Sequence, residues 1–71
     1  MSHRPVTGVS ITVRTESSAF GDDDGEMAVE LGRILAELTS YVYSLEDMSP
    51  LDGKTLRDAN GNRVGAVTVI R

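Results

Sequence analysis

The reading of one stretch decides the fold: Thr55-Leu56-Arg57-Asp58-Ala59-Asn60-Gly61-Asn62-Arg63-Val64-Gly65-Ala66-Val67-Thr68-Val69-Ile70. Asn60-Gly61 is the strongest two-residue hairpin signal, because a type I′ turn needs positive φ at both central positions. The stretch therefore reads as two strands, Thr55 to Ala59 and Asn62 to Ile70, joined by that turn. The second arm carries Val64, Ala66, Val67, Val69 and Ile70, apolar on both parities. That suits a central strand or one covered on both faces.

Upstream of the hairpin, Met27, Leu31, Ile34, Leu35, Leu38, Val42 and Leu45 recur at helical spacing. Asp23 is placed to cap this helix, with Glu26 three residues on completing a capping-box pattern. The helix is expected over residues 24–45, ended by Glu46, Asp47, Ser49 and Pro50. Gly32 sits inside it and allows close approach of the chain's own sheet or of another helix. Val29, Ala36 and Tyr43 are spaced by seven and lie off the main stripe. Further upstream, Val6 to Thr15 alternates. Val9, Ile11 and Val13 share one parity, and Ser10, Thr12 and Arg14 the other, as in a half-buried strand. Phe20, the single phenylalanine, is expected to plug one end of the core.

Strand, helix, strand, strand is thus an α+β chain with β-α-β-β order. The helix returns the chain to its starting end, so the second strand runs parallel to the first and the third opposes both. Setting the most apolar strand in the middle gives a three-stranded antiparallel sheet in spatial order 1-3-2, with one long helix on one face. The chain forms a single domain over 1–71, with residues 1–5 expected to fray.

Composition bounds the chemistry. Hydrophobic residues at 39% and charged residues at 25% mark a globular chain rather than a disordered one. There is no cysteine, which excludes disulfides, thiol nucleophiles and cysteine-held metals. One histidine, His3, leaves no material for a histidine-based triad or a multi-histidine metal site. A net charge of −4 argues against a nucleic-acid binder, which needs a basic face. No apolar run is long enough for a membrane span, so the expected location is the cytosol.

The charge is uneven. Residues 1–53 hold ten acids and three bases, whereas 54–71 hold one acid and four bases. The acidic spot Asp22, Asp23, Asp24 and Glu26 reads as helix-start chemistry, or else as a patch for a basic partner. The spacing around Asp58-Ala59-Asn60-Gly61-Asn62 does not fit a calcium loop, nor does that of Asp22–Glu26. No phosphate loop is present. Glu30 and Glu37, seven apart, read as solvated helix surface. No cofactor is expected, and no catalytic set is visible. Arg14, Arg57 and Arg63 could converge on an anionic ligand, and Tyr43 is a candidate contact residue. A small, lean core also favours self-association, with Val29, Gly32, Ala36, Val64, Ala66 and Ile70 as candidate interface residues.

The run Ile11-Thr12-Val13 through Ala19-Phe20, then Glu30 with Arg33-Ile34-Leu35 and Leu38, then Leu56 through Gly65, resembles a group of small phage and prophage proteins of about 70 residues. Their terminal hairpin reads Asp-x-Asn-Gly-Asn-x-Val-Gly. Where that group has an asparagine before Ala-Phe, this chain has Ser17-Ser18. The resemblance implies a phage-type protein of the host cytosol and carries no activity with it. The expected function is non-enzymatic: occupying a surface of a host protein, as a homodimer or other small oligomer. The alternatives are an oligomeric sponge for a nucleotide-like anion at a subunit boundary, and a virion accessory protein.

Overall fold

The computed structural model describes residues 5–71; the first four of the five residues expected to fray lie outside the described residues. The elements are β1 (Gly8–Val13), α1 (Asp24–Tyr43), β2 (Thr55–Arg57) and β3 (Arg63–Ile70), with single 3₁₀ turns at Ser18–Phe20 and Ser49–Leu51. The sheet order is β1-β3-β2 with both pairs antiparallel, so the chain is α+β with the expected strand order. Gly8 lies opposite Ile70 and Val13 opposite Gly65.

α1 starts where the sequence places it. The Asp23 carboxylate accepts the Glu26 N–H at 2.8 Å. Glu26 returns the bond to the N–H of Asp22, one residue before the cap. The helix ends at Tyr43, two residues short of expectation, where the Ser44 N–H turns back to the Tyr41 and Val42 carbonyls.

The core comprises Phe20, Ile34, Leu38, Leu51, Leu56, Val64 and Val67, with Met27, Leu31, Tyr41 and Leu45 packed against it. The inward stripe of α1 is therefore 27, 31, 34, 38 and 41, with Leu45 continuing it just beyond the helix end. Leu35 and Val42 each follow a core position by one residue and so lie about 100° round the helix. Both are more than a third exposed, contrary to the stripe read from the sequence. Leu35→Ala should accordingly cost about 1 kcal/mol or less, against about 2–5 kcal/mol for Leu38→Ala. Urea titration of the two variants checks this ordering.

Gly32 is a second correction. A Cβ built there meets nothing within 4 Å, so no strand or helix approaches it closely. The glycine serves no packing need within the chain, and Gly32→Ala should stabilise the helix by roughly 1 kcal/mol. A melting temperature raised by about 4–8 °C would register it.

The turn also differs. Gly61 has φ +84°, but no other type of residue among those described has positive φ. Asn60 is therefore not left-handed and the type I′ turn does not form. Instead the Gly61 N–H donates to the Asp58 carbonyl at 3.0 Å, and the Asp58 N–H to the Asn62 carbonyl at 2.9 Å. This is a three-residue loop closed by a left-handed glycine. Its cause is the Asp58 carboxylate, which takes the N–H groups of Asn60 and Asn62, both at 2.9 Å, and holds the backbone in an Asx turn.

Between the Leu56–Gly65 and Arg57–Arg63 pairs, β3 carries one extra residue, Val64. Such a bulge re-aims a side chain. It explains how Val64 and Val67, of opposite parity, are both buried.

Candidate functional site

Three features concentrate chemistry in this small fold. The first is a buried polar cluster. Glu30 accepts from Arg33 Nε at 2.8 Å and Nη2 at 3.0 Å, and from the Ala59 N–H at 2.7 Å. Arg33 also donates to Glu37 at 2.9 Å. Asp58 accepts from the Ser17 hydroxyl at 2.6 Å and from Asn62 Nδ2 at 3.2 Å, besides the two backbone N–H groups of its turn. Both carboxylates are buried, which corrects the expectation that Glu30 is solvated; Glu37 is exposed. Glu30 lies one turn before Ile34, on the flank of the inward stripe that the hairpin tip covers. The hairpin tip is thus tied to α1 through Glu30 and to the β1–α1 connection through Ser17. Ser17 is thus the donor through which the β1–α1 connection reaches Asp58.

Hydrogen bonds from the Arg33 guanidinium, and then from Ala59, hold the Glu30 carboxyl below its usual pKa against the opposing effect of burial. The Ser17 hydroxyl, followed by Asn62 and Asn60, does the same for Asp58. A carboxyl whose folded pKa is depressed contributes stability that is complete above its unfolded value and is lost as pH falls through the folded one. The ordinary values are 4.5 and 3.8. Melting temperature should therefore hold from neutrality down to about pH 5 and fall progressively below about pH 4. A melting series that stays level through that acid range would contradict the cluster.

The second feature is basic. Arg57 lies directly opposite Arg63, and the Arg14 N–H donates to the carbonyl of Val64. The three arginines thus gather at one end of the sheet. None has a carboxylate partner among the described residues, and Arg57 Nη1 donates to the Gly61 carbonyl at 3.1 Å. A hollow of about 250 Å³ lies between Arg14 and Arg63, lined also by Glu16, Ser17 and Asn62.

The third feature is apolar. α1 packs against β2 and the Ser18–Phe20 turn and leaves β1 largely uncovered. Ile11, Leu35, Val42 and Tyr43 are exposed by 47%, 39%, 38% and 87%. With Thr39 and the buried Leu38 they line a groove of about 570 Å³. The groove lies on the helix side of the sheet. On the opposite face the strands show Ser10, Thr12, Thr68 and Arg57 together with the half-buried Ala66 and the exposed Ile70. The bulge has turned Val64 into the core.

The other candidate contact residues fall as follows. Val29, Gly32 and Ala36 are exposed on α1, away from the core stripe. Ala66 is half-buried, and Ile70 is exposed on β3 beside Gly8. Val64, named with them as an interface residue, belongs to the chain's own core. Tyr41 packs, with its hydroxyl donating to the Pro50 carbonyl at 3.2 Å and Lys54 over its ring, whereas Tyr43 points outward.

No family model, curated protein or solved structure matches this chain. Among the described residues, no group of three or more side chains could hold a metal ion, and no helix is long and apolar enough to cross a membrane.

Proposed function

We propose that this chain is a non-enzymatic interaction protein of phage type, working in the host cytosol by docking its β1–α1 face on another protein surface. The observation that carries the reading is the groove. Large apolar side chains from a strand and a helix converge on one side of a domain whose remaining surface is mostly polar, and contiguous exposed apolar surface marks interaction sites. Tyr43 stands at its rim as an amphipathic anchor. The test is a photo-reactive phenylalanine analogue placed at Tyr43 and, as a control, at Ala59 on the hairpin tip, in cells expressing the protein. A discrete adduct from position 43 that Leu35→Asp suppresses supports the reading. No adduct, or equal adducts from both positions, overturns it.

The arginine group favours a second reading, a site for a small anion such as a nucleotide. Arg14, Arg57 and Arg63 put three guanidinium groups at one sheet end of an otherwise acidic protein, and guanidinium forks match phosphate oxygens. A nucleotide held at 100 times its dissociation constant would add about 2.7 kcal/mol of stability. A thermal-shift screen with nucleotides reads this directly. The shift should vanish in Arg57→Ala and Arg63→Ala, and its absence in the parent protein would remove the reading.

A further inference from the structure

We infer that the occupant of the β1–α1 groove is a second copy of this chain, joined by antiparallel pairing of the two β1 strands about a two-fold axis at Ile11. The inference rests on the docking reading above and names its partner.

β1 is an edge strand, paired only with β3. The Arg14 N–H faces Val64, so in the alternation of an antiparallel ladder Thr12 and Ser10 also turn their backbone groups toward β3. Val9, Ile11 and Val13 then present their N–H and C=O groups to the open edge. The side chains of these same residues lie on the groove side, so hydrogen-bonding capacity and apolar surface coincide. Edge strands are ordinarily protected by lysine, proline, bulges or short length. β1 has six residues and none of those devices.

Two further observations select a second copy over a different protein. First, residues 6–13 carry no charge, so a chain of net charge −4 meets itself there without repulsion. Second, the pairing about Ile11 matches like with like: Val9 opposite Val13 and Ile11 opposite Ile11 on the groove side, Ser10 opposite Thr12 on the other. Arg14 falls opposite Gly8 rather than another arginine. The pairing would make one six-stranded sheet, β2-β3-β1-β1-β3-β2, with the two helices on the same side.

Sedimentation velocity over a hundred-fold concentration range is the first measurement. The parent protein should approach twice 7.6 kDa, and Ile11→Lys should remain at 7.6 kDa throughout with an unchanged circular dichroism spectrum. Ile11→Cys supplies an independent readout in a protein that has no cysteine. Opposed residues of a hydrogen-bonded antiparallel pair have Cα atoms about 5.5 Å apart, within disulfide range. Mild oxidation should therefore give a covalent dimer from Ile11→Cys and not from Ala59→Cys. If Ile11→Lys fails to fold, cross-linking decides alone. A parent protein that stays monomeric, or a dimer that survives Ile11→Lys without selective cross-linking, overturns the inference. A monomer whose photo-probe at Tyr43 still yields an adduct of another mass would overturn the second copy and leave the docking reading standing.

Discussion

Gly65→Ala is expected to remove a large share of the stability of the fold. Gly65 sits in the central strand, opposite Val13 on one side and Leu56 on the other. A Cβ built on it falls onto the Thr12 carbonyl oxygen, with the Thr12 carbonyl carbon at 3.0 Å and the Val13 Cα at 3.1 Å. All of these are backbone atoms, so no side chain can rotate away. The two strands must part at this point to admit it. Overpacking of this kind costs about 1–3 kcal/mol even where side chains can yield, so about 3 kcal/mol or more is expected here. A domain of this length has about 4–10 kcal/mol of stability in all. Urea titration and an amide correlation spectrum give the measurement. Parent-like stability in Gly65→Ala would mean that β1 and β3 do not approach at Thr12 as described. Gly32→Ala is the internal contrast, the same chemical change with the opposite sign.

Asp58→Ala should be comparably damaging, for an electrostatic reason. Four donors converge on its buried carboxylate: the Ser17 hydroxyl, two backbone N–H groups and the Asn62 side chain. Removing it strands those donors with their neighbours still in place, the costly way to lose a hydrogen bond. It also removes the clasp that shapes the hairpin tip, so Ala59 is no longer held out to Glu30. A melting temperature lowered by more than about 10 °C is expected, with amide shifts spreading from residues 58–62 to Ser17 and Glu30. Asp58→Asn keeps the shape and one acceptor oxygen and should fall between the two. Ser17→Ala removes one donor and should be milder than either. If Asp58→Ala melted like its parent, the cluster would be a surface decoration.

The contrast between what the residues announced and what they concealed follows from range. Strand order was legible because alternation in Val9–Val13, the helical stripe and the hairpin signal are all local patterns. The turn type was not, because the Asp58 carboxylate that overrides the Asn60-Gly61 preference is itself anchored by Ser17, 41 residues away. The burial of Glu30 depended on the same distant turn. The stripe was read one residue too broad because apolar residues at Leu35 and Val42 look like core from the sequence. Only the placement of α1 over β2 rather than β1 leaves them outside. That offset also creates the groove, so the candidate site could not be seen before the docking of the helix was known. The three arginines were legible as a group because the strand order brings them to one end.

The pairing of Gly8 with Ile70 has a consequence for the order in which the molecule assembles. It closes a loop that runs from Gly8 to Ile70 and takes in every other element of the fold. α1, β2 and β3, by contrast, are consecutive and meet through shorter closures, whose entropic cost is smaller. β1 is thus placed to arrive last, as a strand laid onto a helix and hairpin already in contact. Newly made chains would then spend their final folding step with the β3 edge open, and whichever β1 reaches that edge first, their own or a neighbour's, completes the sheet.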